Sequence, residues 1–330
     1  MDKRTKNIII ASTAAVAGLT ALGITAHKYT SHKIMKLALD RNQPLPQPKN
    51  MSKLRGSDEL EKIDETLLEA GEKLKSKNLR KIEITSHDGL RLAGHWYCPE
   101  KPKRVIIAMH GWRSAWTRDM GVISDFWHEN DCAVLYAEQR AHGESEGEYI
   151  SFGLLERYDC LEWIKWANNE TKSKLPIYLC GVSMGASTVL MAAGFDLPEN
   201  VHGIIADCGF TSPYAIFKHI AQNNLHIPYG IYNNSANGIC KKKISLTADS
   251  YTCGEALKNT DVPVLFIHGT DDSFVPIEMT YENYKECVSP KRLFVVPGAE
   301  HGLSYLKDKE GYEKAVKEFW SDFDGKSRNR

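Results

Sequence analysis

No sign of charge prevails in this chain: 42 Lys and Arg residues stand against 42 Asp and Glu residues among 330. That balance removes the net field that recruits nucleic acid, and no nucleic-acid partner is expected. The eight cysteines, at 98, 132, 160, 180, 208, 240, 253 and 287, include no CxxC pair and no compact disulfide spacing. Cys132 and Cys180 fall in apolar runs, where cysteine is usually a small buried hydrophobe, so free thiols are expected. An H-E-x-x-H ligand pair, the glycine pattern of a phosphate-binding loop and a solenoid-type repeat are all missing. Neither a metal nor a cofactor is therefore expected. What remains, 42% apolar and 25% charged, is the composition of a globular chain able to bury a full core.

The N-terminal 50 residues differ from the rest. Residues 7–26 carry no charge, and as a helix at 1.5 Å per residue they would measure about 30 Å, the thickness of a bilayer core. The first reading is an uncleaved, single-pass anchor in the cell membrane. A cleaved signal peptide ending near Ala21-Leu22-Gly23 and a peripheral helix stay open. Lys3, Arg4 and Lys6 precede the run and Lys28, Lys33 and Lys36 follow it, so the basic residues do not choose a side. "NQPLPQPKN" then reads as an extended, Pro-rich linker, giving an anchor-plus-linker over 1–50 and a globular domain over 51–330.

Within that domain, Asp58 with Glu61 marks a helix start, and Leu60, Ile63, Leu67 and Leu74 repeat at helical spacing. "KIEIT" and "LAGHWY" flank an Asp-Gly turn and read as an antiparallel hairpin. "RVIIAMH", "CAVLYA", "PIYLC", "GIIAD", "PVLFIH" and "RLFVVP" are short and almost wholly apolar, as strands of a parallel sheet covered on both faces are. Helices are expected between them, among them 154–167 and 184–194. The stretch of about 212–258 is too long for a simple crossover and reads as an insertion at the rim of the sheet, a candidate lid.

The chemistry centres on Gly181-Val182-Ser183-Met184-Gly185, which follows one strand and opens a helix. In that strand, sharp turn, helix context a G-x-S-x-G serine is pushed out at the carboxyl end of the sheet. A serine hydroxyl needs a base to take its proton, and the base needs a carboxylate to hold its tautomer. Asp272 follows the strand "PVLFIH" and His301 follows "RLFVVP", in the order Ser, Asp, His that such a fold requires. Asp271 and Asp207 are the other acids considered. The oxyanion of an acyl transfer also needs two donors, assigned to the backbone N–H groups of Met184 and Trp112. Trp112, Trp116 and Phe210 are candidate substrate-pocket residues, each with packing as the competing role. His110, His142 and His268 are expected to shape their loops, and Lys241–Lys243 to form a solvated face.

Over about residues 81–320 these residues resemble the α/β-hydrolase fold superfamily, in particular its bacterial serine esterase, lysophospholipase and serine-aminopeptidase-like group. "HGW" is similar to that group's oxyanion loop, "EQRAHGESEG" to its D-x-R-x-H-G-x-S loop with Glu138 in place of Asp, "GVSMGA" to its nucleophile elbow, and "HGTDDSFVP" to its acid loop, which selects Asp272 over Asp271. The resemblance implies a mostly parallel, eight-stranded sheet flanked by helices and a carboxylic-ester substrate. With a membrane anchor, lipid-derived esters such as lysophospholipids join the expected substrates. A peptidase or amidase using the same three residues is the nearest rival, and a non-catalytic binding member of the fold is the rival from another class.

Overall fold

The computed structural model describes residues 29–43, 58–226 and 228–325. Eight strands form one sheet in the order β1-β2-β4-β3-β5-β6-β7-β8. β1 (Arg80–Thr85) and β2 (Arg91–Tyr97) are the expected hairpin. Gly89 at its turn takes φ +89°, the left-handed region that suits glycine. β2 pairs antiparallel with β4, and the remaining strands are parallel: β3 (Arg104–Met109), β4 (Cys132–Ala137), β5 (Ile177–Val182), β6 (Val201–Asp207), β7 (Val264–Gly269) and β8 (Lys291–Val296).

Side chains alternate along these strands between two apolar layers. Val105, Ile107 and Met109 of β3 join one core, while Ile106 and Ala108 join the other. The second core lies under α2 (Asp58–Lys75) and α3 (Trp116–Glu129) and also holds the last helix. α2 and α3 meet backbone to backbone: a side chain on Gly121 would sit 2.7 Å from the Gly71 nitrogen. On the first core pack a helical segment over residues 29–39 (α1), α4 (Glu156–Thr171) and α5 (Met184–Ala192).

The 212–258 insertion is helical. It comprises α6 (Pro213–His219), a π-helical turn (Ile220–Asn224), α7 (Tyr229–Ile244) and α8 (Cys253–Leu257). Ser212 caps α6 through the Ala215 amide with Pro213 in the first turn, and Thr252 with Glu255 forms a capping box on α8. α9 (Ile277–Glu286), α10 (Ser304–Lys307) and α11 (Lys309–Phe323) complete the layers.

Two expectations need adjusting, on β8 and on the linker, and a third lies outside the described residues. β8 is an edge strand with Leu293 37% exposed, so it is not covered on both faces as its composition suggested. Among the described residues no helix is long and apolar enough to cross a membrane, and the anchor expected at 7–26 lies outside them. Most of the linker lies outside them too, but α1 falls within the stretch assigned to anchor and linker. It packs on the domain, with Met35 and Leu39 buried in the first core.

Candidate active site

β5 ends at Val182 and α5 begins at Met184, so Ser183 alone makes the turn. Its backbone sits at φ 56°, ψ −117°, a region that costs a non-glycine residue on the order of 1–3 kcal/mol. Two glycines permit the turn. A side chain on Gly181 would lie 2.3 Å from the Gly185 carbonyl, and one on Gly185 would lie 1.9 Å from the Met109 oxygen at the end of β3. The turn is held from β6 by the Ser183 amide, which donates to the Asp207 carbonyl at 2.8 Å.

Three side chains from the ends of β5, β7 and β8 meet there. The Ser183 hydroxyl lies 2.8 Å from His301 Nε2, and His301 Nδ1 lies 2.7 Å from Asp272 Oδ2. With Nδ1 protonated towards the carboxylate, Nε2 is left as the acceptor of the Ser183 proton. The Asp272 side chain is fully buried. Its Oδ1 accepts from the Phe274 and Val275 amides at 2.9 and 2.8 Å, and its Oδ2 is also 3.1 Å from His268 Nε2. Burial by itself would raise the Asp272 pKa. The bonds from His268, His301 and Val275 outweigh it and hold the carboxyl well below the usual carboxylate range. His268 is itself fixed: the Val275 carbonyl 2.9 Å from Nε2 can only accept, so Nε2 carries the hydrogen and Nδ1 accepts from the Thr280 hydroxyl at 2.7 Å.

The loop after β3 runs beside the serine, and a side chain on Gly111 would come within 3.4 Å of the Ser183 Cβ. The flanking polar groups are occupied. The Gly111 amide donates to Asp119 at 2.6 Å, Arg113 N donates to His142 Nε2 at 3.0 Å, and Gln139 donates to the His110 carbonyl. Burial lowers the pKa of His110 and brings that of His142 down to about 3, which favours the neutral rings whose Nε2 atoms accept the Gln139 amide at 3.1 Å and the Arg113 amide. Among the described residues, the amide hydrogens of Trp112 and Met184 have no acceptor. Met184 is also the first residue of α5, where the helix dipole favours negative charge.

Glu138, the departure from the Asp usual at this position, accepts from His95 at 2.7 Å and from the Glu144 amide. Its carboxylate reaches into the space a side chain at Gly143 would fill, 2.0 Å from that Cβ position. The longer side chain thus ties its loop down through the room the glycine leaves.

On the far side of the Phe274 ring from His301 lies an apolar cavity of about 160 Å³. Trp112 and Phe274 join it to the site: the Phe274 ring centroid is 5.0 Å from that of His301 and 6.5 Å from that of Trp112. Phe152, Phe217 and residues of α1 and the insertion form the rest of the wall. Of the pocket residues expected from sequence, Trp112 lines this cavity and the other two do not. Phe210 stands behind Phe152 at 6.2 Å. Trp116 is on the opposite face of the sheet, stacked on His95 at 4.1 Å and near Tyr136 in the second core. Both corrections have one cause, since the direction in which each aromatic ring points, Trp116 from a helix start and Phe210 from a loop, is set by tertiary packing. Asp271 is exposed and bonds to its neighbour Thr270, while the Asp207 carboxyl accepts from Ser304 at 2.9 Å. Sequence reasoning missed Phe274, Phe152 and α1. Only α1 left a signal, apolar residues 34, 35, 38 and 39 on one helical face.

A family model described as serine aminopeptidase, S33, matches residues 100–225. YqkD of Bacillus subtilis (strain 168), described as uncharacterized, is 29% identical over 244 residues, 72% of this chain and 77% of that protein. The structure of the Pyrococcus furiosus esterase Pf2001 matches with a TM-score of 0.63 at 23% identity, covering 77% of this chain and 94% of that one. Est1E of Butyrivibrio proteoclasticus with bound ferulic acid matches with a TM-score of 0.54 at 20% identity, covering 74% and 100%. At such identities the likeness is one of fold.

Proposed function

We propose that this chain, which has the α/β-hydrolase fold and matches the serine aminopeptidase, S33, family model over residues 100–225, is a serine hydrolase of carboxylic esters. The hydrogen-bonded row Ser183, His301 and Asp272, with the Phe274 ring between His301 and an apolar cavity, is the observation that carries this reading. Ser183 Oγ attacks the acyl carbonyl carbon while His301 Nε2 takes its proton, and Asp272 stabilises the imidazolium. The Met184 and Trp112 amides hold the oxyanion. On collapse the ester C–O bond breaks, and the leaving alkoxide takes the proton from His301. Water then attacks the acyl-enzyme with His301 again as base, releasing the carboxylic acid and restoring Ser183.

An ester is favoured over an aminopeptidase substrate by the cavity lining. A free α-ammonium calls for a carboxylate partner, and among the described residues lining the cavity there is none. Attachment to the cell membrane through residues 7–26 belongs to the proposal on the length and apolarity of that run alone, and fractionation of cells expressing the full chain tests it.

The deciding experiment is hydrolysis of matched p-nitrophenyl esters and p-nitroanilides by the full chain and by Ser183→Ala. Ester turnover that disappears in the variant is expected. Preferential turnover of the anilides would move the protein to the amidases. No turnover, together with no labelling of Ser183 by a fluorophosphonate, would leave a binding protein.

A further inference from the structure

Residues 29–43 lie before the stretch that carries the family motifs, yet they are built into the site. A helix leaves its last carbonyls without intrahelical partners. In α1 those carbonyls are taken up by the loop that also offers the free Trp112 amide. Leu37 O accepts from Arg113 Nε and Nη2 at 3.0 and 2.8 Å, Ala38 O accepts from Trp112 Nε1 at 2.8 Å, and the same guanidinium reaches Asp40 O and, at 2.8 Å, Gln43 O. The Leu39 carbonyl accepts from the Ile150 amide at 2.7 Å. From the other side Arg41 donates to the Ser145 and Gly143 carbonyls in the Glu138 loop. α1 and the turn after it are therefore clamped to the loop beside Ser183 and to the Glu138 loop.

Its inner face meets the insertion across the cavity, with Ile34, Met35 and Ala38 on one wall and Phe217, Ala221 and Ala236 on the other. An apolar cavity of about 150 Å³ holds one benzene molecule, six carbons. The volume here is about 160 Å³.

We propose that residues 29–39 are a specificity wall of the active site, closing the acyl pocket so that it selects acyl chains of about six carbons. This rests on the serine-esterase reading, with Trp112 and Phe274 leading the chain from the reacting carbonyl into the cavity. Each methylene buried there is worth roughly fourfold in kcat/KM.

The test uses the full-length protein and p-nitrophenyl esters from acetate to palmitate, so that only the acyl arm varies. Rates are normalised to sites titrated with a fluorophosphonate. Wild type is expected to peak near hexanoate. Ala38→Phe, which fills the cavity from α1, is expected to lower the hexanoate-to-acetate ratio of kcat/KM at least tenfold. Ile34→Ala, which enlarges it, is expected to move the peak to longer chains. A wild-type peak at palmitate, or profiles in both variants that parallel wild type, overturns the proposal while leaving the serine mechanism in place. A wild type that the fluorophosphonate does not titrate and that turns over no ester overturns the serine reading, and this one with it.

Discussion

Replacing Asp272 by Asn tests the deepest part of the site without changing its shape. Each carboxylate oxygen accepts two N–H groups: Phe274 and Val275 on Oδ1, His301 and His268 on Oδ2. An asparagine has one oxygen. If it keeps the two backbone amides, its NH₂ group faces His301 Nδ1, and that ring must turn its hydrogen to Nε2. Nε2 then points a hydrogen at Ser183 and can no longer accept one. In the serine-protease template the same change lowers kcat about 10⁴-fold, which at about 1.4 kcal/mol per decade is a loss of about 5.5 kcal/mol of transition-state stabilisation. A loss of that order in kcat/KM is expected for Asp272→Asn on a p-nitrophenyl ester, with the melting transition retained. Asp271→Asn, at an exposed position whose side chain accepts from Thr270, is expected to stay within about twofold of wild type. If Asp272→Asn lost less than tenfold while folded, or if Asp271→Asn were the crippled variant, the assignment of the acid would be wrong.

Other perturbations follow from the same geometry. Gly185→Ala forces a Cβ to 1.9 Å from the Met109 oxygen, so it is expected to destabilise the fold by at least about 3 kcal/mol, read from a denaturant midpoint; a near-wild-type midpoint would contradict the close packing of the elbow on β3. Asp207 is pushed up to about 6, chiefly by burial and against the opposing Ser304 bond. An acid whose folded pKa lies above its ordinary 3.8 destabilises the fold as pH rises through that window, fully above about 6 and not at all below about 4. Asp207→Asn is therefore expected to gain up to about 3 kcal/mol over wild type at pH 8 and nothing at pH 4, and an equal gain at both values would refute the assignment. Arg140 bonds the buried Asp159 through two nitrogens, Nε and Nη2, both at 2.6 Å. Arg140→Met strands that carboxylate and is expected to cost about 3–5 kcal/mol, much of which Asp159→Leu should restore in the double variant.

The chemistry-bearing part of this site was legible because local rules write it. A G-x-S-x-G turn needs its glycines at fixed offsets, and acids and histidines just past apolar runs lie at strand ends wherever the sheet is parallel. Hence Ser183, Asp272 and His301 were found together and in order. The pocket was not legible, because its wall is assembled from segments whose partners are remote in sequence. Trp116 and Phe210 were chosen for chemical type near a motif, and β4 and Phe152 decide where they point. Phe274 lay two residues from the acid and passed unnoticed, since nothing local says that its ring turns toward His301 and the cavity. Residues 29–39 were masked by their setting, an apolar run before them and prolines after. Their helical face was there to be read, but its partners lie in the loop at 112–113 and in the insertion.

The clamp on α1 also sets a timetable for biosynthesis. α1 leaves the ribosome before Trp112, Arg113 and Ile150, and the facing wall at Ala236 follows about 200 residues later. At about 5–20 residues per second that interval is roughly 10–40 s. During it Met35 and Leu39 have no partner wall to cover them. The pocket consequently closes only after the insertion has been made, and a nascent chain paused before residue 236 should present an apolar helix to whatever holdase or membrane surface is nearby.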